Sequence, residues 1–392
     1  MKDDFKNWQE ENIEELEIES GDDGSGAEDD ISVPYDPKQV KIYTSPSTID
    51  NLVQRLRHNE IDLNTEFQRK GNLWKPDAQS RLIESILLRF PLPPLYFDTE
   101  DEDSWKIVDG LQRLWTFKNF IVDQTLELNG LEILTEYNGK KIKFDNLNRA
   151  MQRRLLETNV TTYQIQPGTP KQVKYHVFRR INTGGLGLNP MEIRHALNQG
   201  KAANFMKRLS ENEALRNMLP LPDKRMEDRE LYLRTIAFMF RPYSEYKKPL
   251  TSFLDTTMEL LGDQSSQQLN QIELNIVGAI AIQKTLFDKH AFSRSFGEKD
   301  WRYKLNSALF ETWVSLTSVL KKEEIKNLIA NKAVLQKAYR LLLRDTIFAK
   351  SISSSTSDKS AVNVRFSHIE ALINNYKKTI PIEPQLVLNI NE

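Results

Sequence analysis

Strand signals fade near residue 189, and that change of period divides the chain before any motif is read. Over residues 40–185 short β-branched and aromatic runs alternate with helix-period segments. KIYT, PPLYFD, WKIVD and VTTYQIQ read as strands, and DLNTEFQR as an extended stretch. TIDNLVQRLRHNE, KPDAQSRLIESILLRF, GLQRLWTFKNFIVD, NRAMQRRLLETN and KQVKYHVFRRINT read as helices. Pro76 falls in the first turn of the second helix, where its missing N–H costs nothing. The Asn-Gly of YNGKKIKF predicts a hairpin. From Asn189 the pattern is helical only. Asn189, Pro190 and Glu192 supply an N-cap, a first-turn proline and the third-position acid of a capping box. DRELYLRTIAFMF, LTSFLDTTMELL, LNQIELNIVGAIAIQKTLFDKH, LNSALFETWVSLTSVL, KAVLQKAYRLLLRDTI and FSHIEALINNY follow as helices, with ISSSTSDKSAV as a polar loop. The expected class is α+β: an α/β domain followed by an all-helical domain.

Charge adds two ends to this division. Residues 1–36 hold 14 acids and 2 bases, leaving 41 acids against 52 bases over residues 37–392. The organisation expected is an acidic disordered tail (1–36), the α/β domain (37–188), the helical domain (189–378) and a C-terminal tail (379–392). An acidic tail on a body of about +11 suggests a polyanion partner, although a solubilising tail on a solvated surface accounts for it too. No run of 18 apolar residues exists and the N-terminus lacks signal-peptide features, so a cytoplasmic protein without a membrane partner is expected. The absence of cysteine excludes disulfides and thiolate chemistry.

The chemistry concentrates where WKIVD meets GLQRLW. A helix start offers unpaired N–H groups to anions. Gly110 brings no side chain, so phosphate oxygens could approach its backbone. Arg113, one turn on, would lean back as a guanidinium fork. Asp109 would end the strand or cap the helix, positioning water or ligating Mg2+. An Asp-Gly turn with a solvated arginine needs no ligand at all, and that alternative stays open. Gln68-Arg69 and the Gly184-Gly185 loop are further candidates, the latter as a backbone nest for phosphate or a plain C-cap. RMEDREL reads as solvated charge pairing at a helix start. G-x-x-x-x-G-K-[ST] and G-x-G-x-x-G are absent, and the five histidines show no H-x-x-x-H spacing.

FQR, WKPDAQSRLIESILLRFPLPPLYF, IVDGLQRL and FRRINTGGLGLNPMEIRHAL, in this order, resemble the N-terminal domain of GmrSD-type modification-dependent restriction proteins. The resemblance spans roughly residues 45–376. It implies a ParB/sulfiredoxin-like core in which G-x-x-R, here Gly110 to Arg113, binds nucleotide phosphates. By resemblance Asp109, Gln112 and Arg113 take the catalytic role, with Asp109 the metal ligand. Gln68, Arg69, Gly110, Asn182, Thr183, Gly184 and Gly185 take nucleotide binding. The cofactors implied are a nucleoside triphosphate, GTP or ATP, and Mg2+. Leu111 stands where the family signature Asp-Gly-Gln-Gln-Arg has its first Gln, which puts hydrolysis in question more than binding. No C-terminal histidine-metal nuclease pattern is legible, so the resemblance implies a sensor or regulatory subunit of an anti-phage or restriction system. Its partners would be DNA, a separately encoded nuclease effector of histidine-metal or HEPN type, and copies of itself in a homo-oligomer. The rival readings are a non-hydrolysing ParB-like module that binds DNA or a partner, and a carboxylate-only nuclease.

Overall fold

Thr48 ends a strand and starts a helix, its hydroxyl accepting from the Asn51 N–H at 3.2 Å. Such local hand-overs build the first of two units in this computed structural model. The structure describes residues 17–19, 37–63, 74–181, 189–221, 225–296 and 304–378. One unit is residues 33–197; the other is residues 1–32 with 198–392. The sequence reading put the seam at residue 189, whereas the helix Pro190–Leu197 counts with the first unit.

The first unit is α+β. Its strands are β2 (Ile42–Thr48), β3 (Ile61–Asp62), β4 (Leu95–Asp98), β5 (Trp105–Asp109) and β6 (Asn159–Ile165); β1, Glu17–Glu19, lies in the other unit. They form one sheet in the order β2-β6-β4-β5-β3. β2 with β6 and β4 with β5 run antiparallel; β4 with β6 and β3 with β5 run parallel. Its helices are α1 (Ile49–Arg57), α2 (Pro76–Leu87), α3 (Leu111–Phe117), α4 (Arg149–Leu156), α5 (Lys171–Ile181) and α6 (Pro190–Leu197). Alternation sends Leu95, Phe97 and Ile107 into a core shared with Leu52 and Val53 of α1, Ile83 and Ile86 of α2, and Leu114 and Phe117 of α3. Each such side chain contributes about 1.5–3 kcal/mol by leaving water. On the other face Lys174 of α5 is buried and bonds both Asp98 oxygens at 2.9 Å, and Glu100 as well. The predicted capping box is present: Asn189 Oδ1 accepts from the Glu192 N–H at 2.8 Å, and Glu192 Oε2 from the Asn189 N–H at 2.7 Å.

The predicted Asn-Gly hairpin does not form; its pairing is one isolated bridge, Leu128 to Ile142. The reason lies 48–50 residues upstream. Glu84 of α2 takes the N–H groups of Glu132, Ile133 and Leu134 at 3.1, 2.7 and 2.7 Å, so those donors are spent. Burial pushes the Glu84 carboxyl up, but these three bonds outweigh it and hold it below its ordinary value.

The other unit holds ten described helices. They are α7 (Lys201–Glu211), α8 (Glu213–Met218), α9 (Glu227–Phe240), α10 (Leu250–Asp263), α11 (Ser266–Phe287), α12 (Ser307–Thr317), α13 (Lys322–Ala330), α14 (Lys332–Arg344), α15 (Thr346–Ser351) and α16 (Lys359–Tyr376). Glu17–Glu19, inside the stretch read as a disordered tail, form β1 and pair in parallel with β7, Lys304–Asn306. The rest of that tail lies outside the described residues. Asp345 splits the predicted KAVLQKAYRLLLRDTI helix because its carboxylate caps α15, accepting from the Phe348 N–H at 2.8 Å. The core here carries charge. Glu311, with no exposed surface, accepts from Arg234 Nε at 2.7 Å and from Arg365. Arg365 also bonds the Thr356 carbonyl at 2.6 Å. Two expectations change at this core. Thr356 and Ser357 of the polar loop are buried rather than solvated, and so are Asp228 and Arg229 of RMEDREL. Among the described residues no helix is long and apolar enough to cross a membrane.

Candidate functional site

β5 ends at Asp109, Gly110 turns the chain, and α3 begins at Leu111. The turn needs glycine for two reasons. Gly110 sits at φ +104°, where a side chain is strained. A Cβ there would also overlap Leu95 Cδ2 and lie 3.1 Å from Arg113 Nη2. Arg113 does lean back over the helix start, and its guanidinium occupies the space beside Gly110. Its fork is engaged on both tines: Nη2 donates to Asp109 Oδ2 at 2.8 Å, and Nη1 to the Pro93 carbonyl just before β4. Arg113 is buried, while Asp109 keeps 36% of its side chain exposed.

This burial works against both charges. It pushes the Asp109 carboxyl above its ordinary value, although Arg113 and the Gly110 N–H pull the other way. It pulls the Arg113 guanidinium below its own usual value, against the pull of Asp109 and Tyr96. The pair is therefore an arginine held nearly dry by a carboxylate that water and solutes can reach.

Gln112 looks away from this pair in function if not in sequence. Its Oε1 accepts from the Trp74 N–H at 3.1 Å. Gln79 Nε2 bonds the Trp74 carbonyl at 2.8 Å, and Asn119 bonds Gln79 at 3.0 Å. Gln112 thus belongs to an amide chain that fixes the segment entering α2. Leu111, at the position of the missing Gln, is 3% exposed and part of the core. Position 111 faces inward here, which is why an apolar residue suits it. Gln68, Arg69, Asn182, Thr183, Gly184 and Gly185 lie outside the described residues.

Two residues that sequence reasoning missed stand beside Asp109. Tyr96 is its cross-strand partner, and Tyr163 is the partner of Tyr96 on β6. Their rings stack with centroids 4.7 Å apart and planes 13° from parallel. Burial first, then Tyr163 and Asp109, push the Tyr96 hydroxyl above its usual value, so it stays a protonated donor. Alternation put both tyrosines on the face opposite Leu95 and Thr162; only strand register aligns them with Asp109. Among the described residues no cluster of three His, Asp or Glu forms a metal site. A lone carboxylate still suits Mg2+, which is commonly held by one or two carboxylates together with substrate phosphates.

Residues 49–198, from the first residue of α1 to one residue past the α/β unit, match the family described as GmrSD restriction endonuclease, N-terminal domain. Searches among curated proteins and among solved structures found no match.

Proposed function

Residues 49–198 being a GmrSD-type N-terminal domain, we propose that the chain is a cytoplasmic component of a restriction or anti-phage system whose α/β unit, a ParB-like one, binds a nucleoside triphosphate. As sensor or regulatory subunit it would control a nuclease carried on another chain. The observation that carries this reading is the Asp109–Arg113 pair beside Gly110. A buried guanidinium whose charged partner is a carboxylate still one-third in solvent is built to change partners. Phosphate oxygens would take the Arg113 fork, a stronger match than a single carboxylate oxygen. Asp109, released, would hold a water or accept its proton, a role its raised pKa suits. Mg2+ arriving with the nucleotide would neutralise phosphate charge, with Asp109 as its protein ligand. The exposed Arg149 and Arg153 on α4, with the excess of bases in the body, support DNA as partner. Self-association would let one assembly state idle and another act.

A second reading is a module that binds nucleotide, DNA or a partner without hydrolysis. Leu111 in the core and Gln112 on the Trp74 backbone favour it, because neither then supplies an amide to orient water at the seam.

The test is the full chain with ATP or GTP and Mg2+, with and without DNA, beside Arg113→Ala. Phosphate release that the substitution abolishes supports the sensor NTPase. Nucleotide binding without release selects the module. DNA nicked by the chain alone selects a nuclease, and no binding heat with any triphosphate removes the nucleotide reading.

A further inference from the structure

The inward face of the sheet runs out of apolar residues at its β2 edge. Register places Ser45 and Ser47 of β2, and Gln164 of β6, on the face that carries Leu95 and Phe97. Those two apolar side chains are fully buried, whereas the two serines and the glutamine stay half-buried. Polar groups at core-facing positions gain nothing from burial. Here they line an open cleft of about 400 Å³ beside α1, within the size range of small-ligand sites.

Arg55 of α1 forms one wall. Its guanidinium carbon lies 3.9 Å from the centre of the Trp105 ring, and its Nη1 3.0 Å from Glu60 Oε2. Trp105 rests in turn on Phe97, centroids 5.3 Å apart. A planar cation is thus fixed on an aromatic base anchored in the core, with 34% of the arginine side chain still exposed. Around it the Ser45 and Ser47 hydroxyls donate to the Pro46 and Thr48 carbonyls at 3.2 and 3.5 Å, and Gln54 donates to Asp50 at 3.3 Å, which leaves the serine oxygens as acceptors. Among the described residues the Trp105 indole N–H, the Asn51 side-chain amide and the His58 ring have no hydrogen-bond partner. The Gln164 amide reaches only Thr162 Oγ1, at 3.5 Å.

We propose that this cleft takes a single unstacked nucleobase, lying on the Arg55–Trp105 pair with its edge toward the Asn51 and Gln164 amides and the β2 hydroxyls. Guanidinium planes and aromatic rings are the platforms on which unstacked bases lie. Amides, both donor and acceptor, match base edges. Glu60 neutralises Arg55, so the cleft carries no net charge with which to select a phosphate. Arg55 covers the indole face that a sugar ring would need. Trp105 and Asp109 stand at opposite ends of β5, about 13 Å apart at strand spacing, so this site does not depend on the seam. The base belongs either to a nucleic-acid strand or to a free nucleoside.

The experiment uses the full chain and a short abasic oligonucleotide carrying one nucleobase, against the same backbone carrying none. The expected result is about tenfold tighter binding of the base-bearing strand by fluorescence anisotropy. Arg55→Lys, which keeps the charge and loses the plane, erases that preference with an unchanged circular dichroism spectrum. Asn51→Ala, at an exposed position, alters the ranking among the bases. Free nucleosides that compete identify themselves as a source; nucleosides that do not compete leave the strand. Equal binding of both backbones, or a preference that survives Arg55→Lys, overturns the proposal. So does a loss of triphosphate binding in Arg55→Lys, because the base would then belong to the seam's nucleotide.

Discussion

Both units of the molecule contain an arginine bonded to a carboxylate, and the two pairs are built for opposite purposes. In the helical unit Glu311 is fully buried between Arg234 and Arg365, on α9 and α16. In the α/β unit Asp109 keeps a third of its side chain in solvent beside a buried Arg113. The first arrangement can only hold helices in register, since nothing reaches Glu311 to replace it. The second can exchange its partner without unfolding. Exposure of the carboxylate, more than the distance between charges, separates a structural pair from a candidate site.

Substitutions break the comparison if the two pairs respond alike. Glu311→Gln should have the largest effect, because it strands two buried guanidinium groups. A loss of about 3–5 kcal/mol is expected from urea unfolding of the full chain, and a loss below about 1 kcal/mol would mean the triad is dispensable. Gly110→Ala comes next. The positive φ and the overlap with Leu95 make it destabilising by more than about 1 kcal/mol, with Arg113 displaced from its place beside the glycine. Asp109→Asn should be the mildest. Burial raises the Asp109 pKa in the folded chain, so its ionisation works against folding. The stability it contributes is fully present while the carboxyl is protonated, below the ordinary carboxylate range, and is lost as pH rises through the raised folded value. Thermal melts should therefore show the Asn variant matching wild type in acid and equalling or exceeding it at neutral pH. A variant that melts well below wild type at neutral pH would make Asp109 a structural residue like Glu311.

Much of this was legible in the chain because it depends on neighbours in sequence. The Asn189–Glu192 capping box, proline at the start of α2 and the strand-to-helix turn at Asp109-Gly110 need only contacts within a few residues. The change from mixed to helical periodicity, and the family match it accompanies, are local patterns as well.

What the tertiary structure decided involves partners far away along the chain, which no local pattern specifies. Arg113 finds the Pro93 carbonyl 20 residues back, and Glu84 removes a predicted hairpin by taking backbone donors some 50 residues on. Strand register sets Tyr163 on Tyr96 beside Asp109, and folding lays Arg55 over Trp105. Sequence fixes which groups exist and how each segment turns. Whether a charge is spent internally or left for a ligand depends on packing between segments, because desolvation and hydrogen bonding act only at contact range.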